Sequence, residues 1–170
     1  MPPDTGAAGL KEMADRRVET VVIRTDGAAR GNPGPAGIGV LIADEAGEVL
    51  EESSDYIGVA TNNVAEYAGL IDALKKAARY GADTAEIYLD SELLVKQLQG
   101  VYKVKNAALR SLHGSVQELL AGYRRVRIEH VPRERNVEAD KLANEAIDRF
   151  EAGEIAVKKV SGLPEQGSLF

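Results

Sequence analysis

Four acidic side chains sit where a folding chain would not ordinarily place them. Asp26 follows an apolar, β-branched run (residues 18–25, VETVVIRT) and Asp90 follows another (residues 85–89, AEIYL). Glu66 shares a helical face with Leu70 four residues on, and Asp140 shares one with Ala143 and Ile147. Burying even one unpaired carboxylate is costly, so four held close together require cations. Oxygen ligands, with no cysteine and only two histidines in the chain, suit hard ions such as Mg²⁺ or Mn²⁺. Each acid also has a plain structural reading. Asp26 before Gly27 fits a turn, and Asp90 before Ser91 fits a helix cap. Glu66 fits half of a capping box, and Asp140 fits a first-turn acid that complements the helix dipole. For Asp26 and Asp90 taken singly the plain reading is the better one. The functional reading rests on the set and on the segments around it.

The elements that must position these acids follow from period and punctuation. Residues 18–25, 37–43 and 48–57 read as strands joined by turn-rich connections, an antiparallel meander. Between the first two, GAARGNPGPAG reads as an irregular loop. The period then changes: Val64, Tyr67, Leu70, Ile71, Leu74 and Ala78 fall on one helical face, with Thr61, Asn62 or Asn63 as cap and Gly81 as stop. Residues 85–89 form a strand, 91–99 and 106–121 helices, 125–131 a strand ended by Pro132, and 136–150 a last helix. The order β-β-β-α-β-α-α-β-α implies an α/β fold, a mixed sheet with helices on its faces.

Bulk properties bound the answer. With 170 residues, 44% apolar and 28% charged, the chain suits one globular domain. Residues 1–17 read as a flexible leader, 18–152 as the domain and 153–170 as a tail. No apolar run is long enough to span a bilayer, no export signal is evident, and the absence of cysteine fits the cytosol. The expected form is a cytoplasmic monomer with no membrane partner. A net charge of −6 is not the footprint of a simple nucleic-acid binder. Carboxylates gathered around divalent ions would reverse that local field.

From about residue 21 to 150 the chain resembles the type 1 ribonuclease H family. T-D-G-A-A-R-G-N-P-G-P-A-G (25–37) resembles that family's opening Asp-Gly and Gly-Asn-Pro-Gly loop. T-N-N-V-A-E (61–66), L-D-S (89–91) and N-V-E-A-D-K-L-A (136–143) resemble its next three acidic segments, in order, and K-V-K-N (103–106) also fits. The resemblance implies a ribonuclease H-like fold with five strands in the order 3-2-1-4-5, flanked by helices. It makes Asp26, Glu66, Asp90 and Asp140 the catalytic metal ligands for two Mg²⁺ or Mn²⁺ ions. The implied reaction is hydrolysis of the RNA strand of an RNA–DNA hybrid, one ion activating water and the other stabilising the departing O3′. The ends left are 5′-phosphate and 3′-hydroxyl. Gly27, Asn32, Asn62 and Asn63 become substrate-binding positions, although Asn32 also reads as a turn residue and Asn62 as a helix cap. The pair Gly37 and Gly39 is not a dinucleotide loop, because a strand follows it.

Departures from the family pattern are equally legible. The loop before the last acid is H-V-P-R-E-R-N. Here His130 reads as the end of a strand, and Arg133 or Arg135 takes the place of the family's loop histidine. An arginine there can stabilise phosphate charge but cannot shuttle protons. His113, on a helix, reads as structural. The basic protrusion of some members is absent, as in other bacterial and archaeal relatives of this kind, which implies weaker, salt-sensitive hybrid binding. Lys96, Lys103, Lys105 and Arg110 are the remaining candidates for phosphate contact. At the end of the chain, Gln166, Leu169 and Phe170 resemble a bacterial sliding-clamp-binding peptide. The alternative functions are a nucleic-acid-binding module of the same fold with little catalysis, and another nuclease of the wider superfamily such as a junction resolvase.

Overall fold

Alternation along the first strand sets the architecture. Val21 and Ile23 are fully buried while Val22 and Arg24 between them stay partly exposed, the period-2 pattern of a strand with one face on a core. The computed structural model describes residues 17–160 and 163. In it β1 (Thr20–Ala29), β2 (Gly34–Asp44) and β3 (Val49–Ala60) form the antiparallel meander. β4 (Thr84–Leu89) and β5 (Arg125–His130) join in parallel, completing one mixed sheet in the order β3-β2-β1-β4-β5.

The predicted helices all form: α1 (Asn62–Ala77), α2 (Glu92–Leu98), α3 (Ala107–Leu120) and α4 (Val137–Glu151). Thr61, Ser91 and Asn106 cap the first three, each side-chain oxygen accepting a backbone N–H of the first turn. Gly81, with φ 61°, takes the left-handed turn that ends the 3₁₀ extension of α1. α1 packs on β1 and β2, and α3 packs on α1. Val21, Ile23, Ile38, Leu70, Ile71, Ile87 and Leu112 belong to that continuous core. No helix among the described residues is long and apolar enough to cross a membrane.

Two departures from the sequence reading matter for the site. β1 does not stop at residue 25. It runs through Asp26 because β2 supplies partners, Asp26 opposite Gly39 and Gly27 opposite Ile38. The segment read as one irregular loop is therefore mostly ladder, and only residues 30–33 turn the chain.

The other face of the sheet takes α4, and the two glycines of β2 explain how. A Cβ on Gly37 would lie 2.1 Å from the Ala143 carbonyl oxygen, and one on Gly39 would lie 2.1 Å from that of Ala139. The helix backbone rests directly on the strand, with Ala139, Ala143 and Ala146 as its small-residue contact stripe. A smaller apolar cluster of Tyr56, Ala146 and Ile147, with Phe150 stacked on the Tyr56 ring, holds the far end of the helix.

The body extends past residue 152. Val157 pairs with Tyr56 in a parallel bridge, and Val160 is buried in the main core. Lys158 Nζ lies 2.9 Å from Asp72 Oδ1 and 3.4 Å from Asp55 Oδ2, and Lys76 reaches the same two acids. Burial pushes the Lys158 ammonium down, but Asp72 and Asp55 outweigh it and raise its pKa. Lys158→Ala is expected to destabilise the protein by about 1–2 kcal/mol, since Lys76 still partners Asp72 and Lys158 is partly solvated. An unchanged urea midpoint would show that the strap adds nothing. The leader (residues 1–16) and the terminal peptide carrying Gln166, Leu169 and Phe170 lie outside the described residues.

Candidate active site

The topology brings two of the acids together before any side chain is considered. β1 and β4 are parallel neighbours at the point where the chain connections diverge to opposite sides of the sheet. Clefts form beyond the carboxyl ends of such strands. Their ladder ends at Arg24 opposite Tyr88, and two residues beyond it lie Asp26, within β1, and Asp90, just past the end of β4. Glu66 comes from the second turn of α1 on one face and Asp140 from the start of α4 on the other. The four line one cleft of about 510 Å³ together with Gly27, Asn62, Asn63, Ser91, Arg133 and Asn144.

Asp26 is no turn residue, because it sits inside β1 and is 4% exposed. Asp90 does not cap α2: the Ser91 hydroxyl does, accepting from the Leu94 N–H. Glu66 is not half of a capping box, which would need it three residues after the cap, and Thr61 caps five residues before it. Asp140 does lie near the first turn of α4, so a dipole role is compatible with its place in the cleft.

The electrostatics are those of a site built for positive charge. One carboxylate oxygen each from Asp26, Glu66 and Asp90 lie within 4.8 Å of one another. Burial is the largest influence on Asp26. A hydrogen bond from Glu66 opposes it, Asp140 and Asp90 reinforce it, and the pKa is raised from 3.8 to about 7. Glu66 is pushed well above its ordinary value by burial first and by Asp26 and Asp90 next, with the Gly27 backbone N–H opposing. Glu66 Oε2 is buried and has no hydrogen-bond partner. Buried polar atoms in folded proteins are almost always satisfied. An orphaned oxygen on a carboxylate that clusters with two others fits a hard divalent cation, and the all-oxygen donor set fits it as well. Asp140 stands at the rim, 30% exposed in its side chain, with Arg133 Nη2 3.5 Å and Asn144 Nδ2 3.4 Å from its Oδ1.

Gly27 has a structural reason to be glycine: a Cβ there would lie 2.2 Å from the Ala65 carbonyl carbon. The start of α1 thus presses on β1, which is how Glu66 reaches Asp26. Asn32 and Asn62 form a relay. The Asn32 Oδ1 accepts from the Asn62 N–H at 3.0 Å, and the Asn62 Oδ1 accepts from the Ala29 N–H at 3.0 Å. Both side-chain oxygens are held by these internal bonds, and each amide keeps its NH₂ donors to offer outward. Asn63 is exposed on the cleft wall beside them.

The loop residues divide as the sequence suggests. His130 closes β5 opposite Leu89 and is not among the residues that line the cleft. Arg133 lines the cleft, whereas Arg135 lines a separate groove with Arg24 and Tyr88. His113 Nε2 lies 3.2 Å from the Gln97 carbonyl oxygen, a structural contact. Lys96 is engaged by Glu92 at 2.8 Å. Two residues had no role assigned from sequence, Asn136 and Asn144. The signal was present in their spacing, since each lies one helical turn from Asp140, on either side.

Comparison with known proteins agrees with this geometry. Residues 24–146 match the reverse transcriptase-like family model. The chain is 48% identical over 123 residues to ribonuclease HI of Halobacterium salinarum, covering 72% of this chain and 62% of that protein. The crystal structure of RNase H1 from the same archaeon superposes with a TM-score of 0.74, covering 76% of this chain and 98% of that one. The chain belongs to the type 1 ribonuclease H family. LC11-RNase H1, solved in complex with an RNA/DNA hybrid, is 49% identical with a TM-score of 0.73, covering 77% of this chain and 99% of that one. The bifunctional protein Rv2228c of Mycobacterium tuberculosis is 51% identical over 130 residues, 75% of this chain but only 35% of that protein. The ribonuclease H match thus spans about a third of Rv2228c's length. Fold class, strand order and family membership stand as the sequence implied.

Proposed function

We propose that this ribonuclease H hydrolyses the RNA strand of RNA–DNA hybrids with two divalent ions held by Asp26, Glu66, Asp90 and Asp140. The observation that carries the reading is the convergence of three carboxylate oxygens within 4.8 Å, one of the three carboxylates keeping a buried, unpartnered oxygen. Bound there, Mg²⁺ or Mn²⁺ would supply the charge neutralisation that phosphodiester hydrolysis requires at the attacked phosphate and at the departing O3′. Water adds to phosphorus, the P–O3′ bond breaks, and the proton goes to the leaving oxygen, giving 5′-phosphate and 3′-hydroxyl ends.

The chain's own residues provide position and selection. Asn32 and Asn62, each with its oxygen held by an internal bond and its NH₂ still to offer, suit the acceptor-rich minor groove and the 2′-hydroxyl in its acceptor role. Asn63 joins them, and Gly27 lets the backbone of β1 line the cleft. Arg133 stands where it can meet a phosphate oxygen and, when substrate is absent, rests against Asp140. Arg133→Ala should lower kcat roughly 10-fold, a charge-assisted hydrogen bond's worth, while His130→Ala stays within about 2-fold of wild type. The reverse pattern would return the loop role to His130.

The function is tested with one sequence prepared as hybrid, double-stranded DNA and single-stranded RNA. Only the RNA of the hybrid should be cut, in Mg²⁺ or Mn²⁺ and not in chelator. Cutting of a DNA-only junction would favour the resolvase reading, and binding without cutting would favour a binding module. For the terminal peptide we propose docking on a sliding clamp through Gln166, Leu169 and Phe170. Deleting residues 166–170 should end clamp association and leave cleavage of short hybrids unchanged. Full-length protein with no measurable clamp binding would dispose of it.

A further inference from the structure

Asn136 occupies the N-cap position of α4, yet its side chain makes no capping hydrogen bond. It is 1% exposed. Its amide nitrogen instead donates to the Thr25 carbonyl oxygen at 2.9 Å and to Asp90 Oδ2 at 3.1 Å. Asparagine is favoured at helix N-termini because its oxygen satisfies a free backbone N–H. Here that use is given up, and Asn136 Oδ1 is left buried without a partner.

What the amide does in exchange is visible in the sheet. The β1–β4 ladder stops at Arg24 opposite Tyr88, so the strands part just before the two residues that carry Asp26 and Asp90. Thr25 is the first residue of β1 beyond the last rung. Its carbonyl, immediately before Asp26, accepts from Asn136 at the point where the ladder to β4 ends. The second amide hydrogen goes to the carboxylate at the end of β4. One NH₂ group therefore bridges the gap between the strands, and both of its hydrogens are used. The same residue's carbonyl oxygen accepts from the Asp140 N–H at 3.1 Å. Asn136 thus touches two of the four acid-bearing positions, Asp90 and Asp140, and the residue immediately before a third, Asp26.

We infer that Asn136 is a positioning residue for the metal site: it fixes the spacing of the Asp26 and Asp90 carboxylates and holds Asp90 oriented as a ligand. A carboxylate oxygen carries more than one lone pair, so accepting one N–H leaves Asp90 able to bind an ion. Partners of this kind outside the ligand set are ordinarily needed for full metal affinity. The inference rests on the reading of the carboxylates as metal ligands, and its test is arranged so that the two can fail separately.

Mn²⁺ binding is measured by calorimetry in the metal-free full-length protein and in Asn136→Ala and Asn136→Asp, with circular dichroism and thermal melts as checks on folding. Asn136→Asp keeps the shape of the side chain and replaces its donors with a charge, so it answers the question should the alanine variant fail to fold. Asn136→Ser supplies a third small polar alternative. Every folded variant should bind Mn²⁺ about 10- to 100-fold more weakly than wild type. On the hybrid, kcat should fall while KM stays within about 2-fold, because Asn136 is buried away from substrate. In an Asp90→Asn background the further loss from Asn136→Ala should be much smaller, since the two act as a unit. Folded variants that bind Mn²⁺ as wild type does overturn the inference and leave the metal site standing. A wild type that binds no Mn²⁺ overturns both.

Discussion

Asp26→Asn is expected to abolish cleavage and at the same time to make the metal-free protein more stable. The two effects have one cause. Asp26 is enclosed beside Glu66, Asp90 and Asp140, and its pKa is raised from 3.8 to about 7. In the unfolded chain it titrates near its ordinary value. Between about pH 4 and about pH 7 the folded protein therefore holds a proton that the unfolded chain releases. Stability falls as pH rises through that window and levels off above it. The shift corresponds to a few kcal/mol, on the order of 2–4, and Glu66, also raised, adds in the same direction. The asparagine variant removes one buried charge, so its melting temperature without metal should exceed wild type at pH 8 and vary less between pH 5 and pH 8. Mn²⁺ should stabilise wild type at pH 8 and the variant far less. Catalysis should fall by roughly three orders of magnitude, since losing a ligand forfeits several kcal/mol of charge stabilisation at the phosphate. A variant less stable than wild type at pH 8 without metal would mean that the acidic cluster is not under electrostatic strain.

The second large effect is expected at a residue with no functional group at all. Gly39→Ala places a methyl 2.1 Å from the Ala139 carbonyl oxygen and 2.8 Å from the Ala143 nitrogen. Both atoms are helix backbone, so neither side chain rotation nor local relaxation relieves the clash, and α4 must lift off β2. The expected cost is about 3 kcal/mol. Asp140 lies in the first turn of that helix, directly after Ala139, so the lift also draws Asp140 from the cleft. Activity should therefore drop more than the loss of folded protein explains, measured at a temperature where circular dichroism shows the variant folded. Gly47→Ala is the control: its Cβ meets nothing within 4 Å, although its φ of 87° imposes a backbone cost of its own. A Gly39→Ala protein with wild-type melting temperature and kcat would mean that the close contact between β2 and α4 is not required.

Gly37 and Gly39 also mark where sequence reading stopped. Their spacing was enough to reject a nucleotide loop, but their positive purpose depends on which helix lies over β2, and that is set by long-range packing. The element order was legible because apolar period changes sharply from two to near four at residue 62. The extension of β1 through Asp26 was not legible, because Gly27, Ala28 and Ala29 have low strand preference and are held extended only by β2. The same tertiary pairing decides that Asp26 is a cleft acid and not a turn. Asp90 was ambiguous for a different reason: Asp and Ser both cap helices, and only the structure gives the cap to Ser91. The carboxylates themselves were legible, since burying acids on apolar faces is so unfavourable that their pattern stands out. Asn136 showed its spacing from Asp140 but not its role, because an asparagine before a helix looks like a cap and its partners are more than a hundred residues away at Thr25 and 46 away at Asp90.

In the proposed function Asp26, Glu66, Asp90 and Asp140 form a divalent-cation site. Anomalous diffraction from crystals grown with Mn²⁺ tests it most directly. The predicted result is a manganese peak bonded to carboxylate oxygens of Asp26, Glu66 and Asp90, lost in Asp26→Asn crystals grown in the same way. Manganese bound elsewhere on the protein, with none among these carboxylates at saturating concentration, would contradict the account.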